Sequence, residues 1–132
     1  MQLVTYLNAL GSGLGCPGQL DTVASMTDAQ LDPENAKILT LAKAQRARNS
    51  AAEGAAVRDE TGRTYVATTV DLPSLKLTAL QTAIAMAVVS GATALEAAVV
   101  VTEEAEFRAE DLAVVADLKG AGTRLFLALP TV

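Results

Sequence analysis

Histidine is absent from the 132-residue chain, and cysteine occurs once, as Cys16. Without histidine there is no imidazole general acid or base and no Ser-His or Cys-His nucleophile pair. One cysteine cannot close an intrachain disulfide. A chain of this kind suits a reducing compartment, so the cytoplasm is its expected location. Catalytic zinc usually takes three protein ligands from His, Cys, Asp and Glu; here such a site would be almost all carboxylate. Basic charge is also scarce. Ten Lys and Arg stand against 15 Asp and Glu, a net charge of −5. Nucleic-acid binding normally needs a basic face, so nucleic acid is not an expected partner. Internal repeats and low-complexity linkers are missing as well. What remains is 51% hydrophobic and 19% charged, the composition of a globular domain with one core.

Residues 1–25 differ from the rest. They lack the basic start of a secretory signal, and Gly11, Gly13 and Gly15 interrupt their apolar run. Cys16-Pro17-Gly18 reads as a turn, and Met26-Thr27-Asp28-Ala29 looks like a natural start of translation. The expectation is a tail over 1–25, disordered or an over-called start, followed by a domain over 26–132. Cys16 lies in that tail and is not a candidate nucleophile.

The domain is organised around Leu72 to Gly91, LPSLKLTALQTAIAMAVVSG. It is apolar nearly all round, which predicts a buried central helix. Ser74 is its expected cap and Gly91 its stop. Lys76, Gln81 and its length argue against a membrane span. Before it, Asp32-Pro33-Glu34 has the chemistry of a helix start. That helix should run to about Arg48 with Ile38, Leu41, Ala42 and Gln45 on one face. Lys37, Lys43, Arg46 and Arg48 give it a basic side, read as solvated rather than phosphate-binding. Glu53–Arg58 and Arg63–Val70 predict a hairpin turning at Asp59-Glu60-Thr61-Gly62. Leu95–Thr102 and Thr123–Leu129 read as buried strands. Between them lies an acidic loop, Glu103-Glu104-Ala105-Glu106, then a helix over Ala109–Lys119 ended by Gly120 and Gly122. The carboxylates Glu103, Glu104, Glu106, Glu110 and Asp111 could hold a hard cation. Successive loop residues point apart, however, so a solvated loop is the reading and no metal site is assigned.

The order is α-β-β-α-β-α-β. It predicts an α/β fold: a three-layer α/β/α sandwich on a mixed sheet, with parallel strands in the second half.

Over residues 33–129 the chain resembles the cytidine deaminase family. The residues that carry the likeness are EGAAVRDETGRTYVATTVDLPS (Glu53–Ser74) and TALQTAIAMAVVSG (Thr78–Gly91). They are similar to that family's first hairpin and to its helix of Cys/His-Ala-Glu-Arg followed by an apolar run. The resemblance implies a cytidine deaminase-like fold and, for intact members, zinc-dependent hydrolytic deamination of cytidine or deoxycytidine in pyrimidine salvage. The chemical motif does not carry over. The zinc-binding Cys or His is matched by Thr78, and the proton-carrying Glu by Leu80. The family's Pro-Cys-x-x-Cys falls on Phe107 to Leu112, which has no cysteine. Thr78 and Leu80 are therefore degenerate zinc-site positions, and no zinc, other cofactor or catalytic residue is expected.

The family's ribose-reading Asn-x-Glu-Asn falls on Thr69-Val70-Asp71-Leu72, which leaves Asp71 as the candidate substrate-binding residue. With Thr68, Thr69 and Arg63 it could line a nucleoside site. The expectation is a catalytically inactive binding or scaffold protein; the alternative is the salvage deaminase itself. Relatives build dimers and tetramers from these helices, so the resemblance also implies a homo-oligomer. No membrane partner is expected.

Overall fold

The computed structural model describes residues 4–8, 20–23, 32–118 and 123–130. Cys16, Met26 and the expected helix end at 119–122 lie outside them.

The first helix, α1 (Pro33–Asn49), starts as its sequence predicts. Asp32 caps it by accepting the Glu34 N–H at 3.0 Å. Ser50, in the left-handed region at φ 51, closes it. Its inner face is Ile38, Leu39 and Ala42, while Leu41 and Gln45 are only half-buried. The hairpin β3 (Gly54–Asp59) and β4 (Thr64–Thr68) follows, turning through Gly62 at φ 91. A glycine suits that turn because it has no Cβ to oppose a positive φ.

Strand β7 (Leu95–Val101) lies antiparallel to β3 and parallel to β8 (Arg124–Ala128). Side chains alternate across this sheet with the period of two that strands impose. Ala56, Val99, Val101, Phe126 and Ala128 pack under α1. Ala55, Val57, Ala98, Val100, Leu125 and Leu127 face the other way, toward α2 (Ala79–Val89) and α3 (Ala109–Asp117). This is the three-layer sandwich. Its closest approach is at Gly54, where a Cβ would collide with the Ala42 carbonyl oxygen and the Arg46 Cβ. Only glycine lets α1 sit this near the start of β3.

Two expectations are corrected. The first concerns residues 1–25. Within them β1 (Val4–Asn8) pairs antiparallel with β8, and β2 (Leu20–Val23) pairs antiparallel with β1. The full sheet order is β2-β1-β8-β7-β3-β4. A loose tail does not describe these two segments. The open edge of β8 carries unpaired backbone donors and acceptors, and β1 satisfies them.

The second correction concerns Leu72–Gly91, which is not one helix. Its first part belongs to a small hairpin, β5 (Val70–Leu72) with β6 (Leu75–Leu77). Pro73 disfavours a helical Leu72, and Leu75-Lys76-Leu77 alternates with the period of a strand. The helix starts later and is capped by Thr78, not Ser74. Thr78 and Gln81 form a reciprocal capping box, each side chain accepting the other residue's backbone N–H at 2.9–3.0 Å. Nor is α2 buried all round. Ala79, Leu80, Ala83, Ile84 and Ala87 face the core, whereas Met86, Val88 and Val89 are exposed, Val89 by 85%. Gly91, at φ 100, follows its end as expected.

Candidate functional site

The site lies at one end of the sheet, where the carboxyl ends of parallel β7 and β8 meet the start of β3 and the end of β4. In open α/β sheets ligands sit outside the carboxyl ends of the strands. The N-termini of α2 and α3 meet here too: the Thr78 cap of α2 donates its hydroxyl to Asp111, in the first turn of α3, at 2.6 Å.

Four side chains from distant parts of the sequence converge. Glu53, just ahead of β3, is 4% exposed. Both its oxygens accept from Nη1 of Arg108, at 2.8 and 2.7 Å, and Oε2 also accepts the Thr102 hydroxyl at 2.7 Å. Charge-assisted bonds of this length are strong, and they offset part of the cost of burying Glu53. The Glu53 carboxylate holds the Arg108 guanidinium above its ordinary pKa. Asp111 is 2% exposed and, among the described residues, its carboxylate accepts only the Thr78 hydroxyl. Burial pushes the Asp111 pKa up, with Glu53 and Glu110 pushing the same way, against the lowering by that hydrogen bond and by the Arg108 charge.

Beside this network is a cavity of about 290 Å³. Its polar wall includes Glu53, Thr69, Asp71, Thr78, Gln81 and Arg108. A second cavity of about 230 Å³ shares Ala52, Glu53 and Arg108 with it and extends to Arg46, Thr102, Glu103 and Glu104. The Glu53–Arg108 pair lies in the wall between them. The Thr69 hydroxyl oxygen, in the wall of the larger cavity, is buried without a hydrogen-bond partner.

The fold is one for which a family comparison is decisive. The model of the family described as cytidine deaminase-like matches residues 31–131. The chain belongs to that family. No curated protein matches the chain at a significant level.

Thr78 begins α2, and Leu80, one turn-step on, is fully buried in the core. Burying a leucine contributes about 1.5–3 kcal/mol, but it leaves no proton carrier there. The segment matched to Pro-Cys-x-x-Cys, Phe107 to Leu112, brings Arg108 at the cap of α3 and Asp111 in its first turn into the network, and Glu110 to the cavity wall. A zinc ion does not fit this set. Thr78 is engaged as donor to Asp111 and acceptor from Gln81, and Arg108 is a cation with no lone pair to offer. Among the described residues no group of three or more His, Cys, Asp or Glu comes together that could hold a metal ion. Glu103, Glu104, Glu106 and Glu110 are exposed, while Asp111 is separated from them by burial.

Asp71, the ribose-binding candidate, does line the larger cavity, as does Thr69. Its carboxylate is held below its ordinary pKa by the Lys76 ammonium, bonded at 2.6 Å. The other two residues of that expected group are elsewhere. Thr68 accepts from Asn49, and Arg63 binds Asp59 and the Ser90 carbonyl at the opposite end of the sheet. The sequence reading missed Glu53 and Arg108. Their signal was faint: a Glu beside Gly54 at a strand start, and an Arg at the head of a helix whose sequence neighbours are acidic.

Proposed function

We propose that this chain is a cytidine deaminase-like protein without deaminase chemistry, which binds a small polar ligand in the cavity beside Arg108. The observation that supports the reading is the network at this end of the sheet, the Glu53–Arg108 salt bridge and the Thr78–Asp111 hydrogen bond, which occupies the positions where the resemblance implies a metal centre. Zinc lowers the pKa of bound water from 15.7 to about 7, which is the source of the hydroxide nucleophile. A guanidinium at that place carries charge but supplies no open coordination position. Leu80 cannot pass a proton to a base. The cavity remains, and its polar wall offers donors and acceptors to a ligand.

The test is direct. Purified protein with added zinc should leave cytidine and deoxycytidine unconverted over hours at micromolar enzyme, and should retain no stoichiometric zinc after dialysis. Zinc-dependent formation of uridine would overturn the reading and restore the salvage deaminase.

Self-association belongs to the same proposal. The exposed Met86, Val88 and Val89 on α2 support a second copy as the partner of that side, as the family resemblance implies. Sedimentation at micromolar concentration should give a dimer or larger, and a monomer would remove this part. A cytoplasmic setting is proposed on cysteine usage alone. Among the described residues no helix is long and apolar enough to cross a membrane.

A further inference from the structure

We infer that the cavity takes a small zwitterion of the amino-acid type, its carboxylate on Arg108 and its ammonium on Glu110 at the head of α3. The inference rests on the proposal that this cavity binds a ligand, and it names the ligand's class.

Arg108 carries the first half of the argument. Only its Nη1 is used, by both oxygens of Glu53. Its Nε and Nη2 have no partner among the described residues. Those two N–H groups run parallel along one edge of the guanidinium, the edge that grips a carboxylate with two bonds. Arg108 lines both cavities. The free edge is therefore a ready-made carboxylate site. The N-termini of α2 and α3 add partial positive charge at the same place.

The surrounding charges carry the second half. Glu53 is matched by Arg108, and Asp71 by Lys76. In the larger cavity Glu110 has no ion-pair partner among the described residues; Glu104 lines the other cavity, and the Arg108 charge attracts both Glu104 and Asp111. Glu103 is only loosely matched by Arg46 at 4.0 Å. A simple anion on Arg108 would leave Glu110 unmatched. A simple cation would leave the guanidinium edge and two helix N-termini unmatched. A ligand with both charges, a few ångströms apart, satisfies both. A volume of about 290 Å³ suits a molecule of this size.

The experiment is calorimetric titration of the whole chain at pH 7 with each of the common L-amino acids. Acetate, inorganic phosphate and butylamine serve as single-charge controls. At least one amino acid should bind saturably at one site per chain, with the three controls about tenfold weaker or more, the loss expected when one of the two charged contacts goes unmade. Arg108→Lys keeps a cation against Glu53 but loses the two-pronged edge, and should weaken the amino acid about tenfold. Glu110→Gln, at an exposed position that does not threaten folding, should weaken it several-fold and leave acetate unchanged.

Equal binding of acetate or butylamine, indifference to both substitutions, or no binding by any amino acid would each overturn the inference. Cytidine is titrated alongside. Saturable cytidine binding without turnover, with no amino acid bound, would sink the zwitterion and leave the non-catalytic binding reading standing. Zinc-dependent turnover of cytidine would remove both.

Discussion

The two ends of the sheet each bury one aspartate, and they treat it in opposite ways. At the turn end, Asp59 has no solvent exposure and accepts from the Thr61 N–H and hydroxyl, the Arg63 N–H and Nε, and the Tyr65 hydroxyl, all at 2.7–3.1 Å. Burial raises its pKa, but these donors outweigh burial and bring it down to about 2. At the end with the cavities, Asp111 is as deeply buried but its carboxylate has one hydrogen bond among the described residues, and burial pushes its pKa up. A satisfied buried carboxylate is a structural device. A buried carboxylate left short of partners costs stability, and here it lies next to a cavity. The difference marks the turn end as the one that is internally satisfied, and it agrees with the ligand site proposed at the other.

Removing Asp59 should have the largest effect. Asp59→Ala leaves several donors, among them a guanidinium and two backbone N–H groups, without an acceptor in a closed turn. The loss should be about 3 kcal/mol in urea unfolding at pH 7. A change below about 1 kcal/mol would mean that water replaces the carboxylate easily and that the turn is not the rigid end. The pH dependence has a defined sign. The folded pKa of Asp59 lies near 2, below the ordinary 3.8, so its contribution is fully present above pH 4 and is lost as pH falls toward 2. The wild type should therefore converge on Asp59→Ala in acid.

Much of the fold was legible in the sequence, and the reasons are local. Asp32-Pro33-Glu34 signalled α1 because caps act within one turn. Val99-Val100-Val101 signalled a strand buried on both faces, and Gly62 signalled the turn. The failures are just as physical. Leu75 and Leu77 were apolar enough to be counted with α2, although their spacing belongs to a hairpin. Val4–Asn8 is a strand because β8 offers it an edge, and that edge is more than a hundred residues away in sequence. The site was the least legible part. Thr78 and Leu80 could be located from the resemblance, and Asp71 too. Glu53 and Arg108 are 55 residues apart, and nothing near either one says they meet. Asp59 was legible only as the first residue of the turn. Its bonds to the Arg63 and Tyr65 side chains come from the same hairpin and form only once the turn has closed.

The smallest expected effect tests the other side of the comparison and has the opposite sign. Asp111→Asn keeps an oxygen to accept the Thr78 hydroxyl and removes a charge that burial disfavours. The variant should be more stable than the wild type at pH 7, on the order of 0.5 kcal/mol, the scale of one hydrogen-bond difference. The folded pKa of Asp111 lies above its ordinary 3.8, so the folded state takes up its proton first as pH falls. The wild type thus regains stability on the way down to pH 4, and the advantage of the variant should shrink there. That is the reverse of the Asp59 profile over neighbouring pH values. Should Asp111→Asn instead destabilise the chain at pH 7, the charge would be matched by Arg108 more fully than one neutral hydrogen bond suggests. The contrast between the two ends would then be one of geometry only, and Glu110 alone would be left at the head of α3 to meet a bound cation.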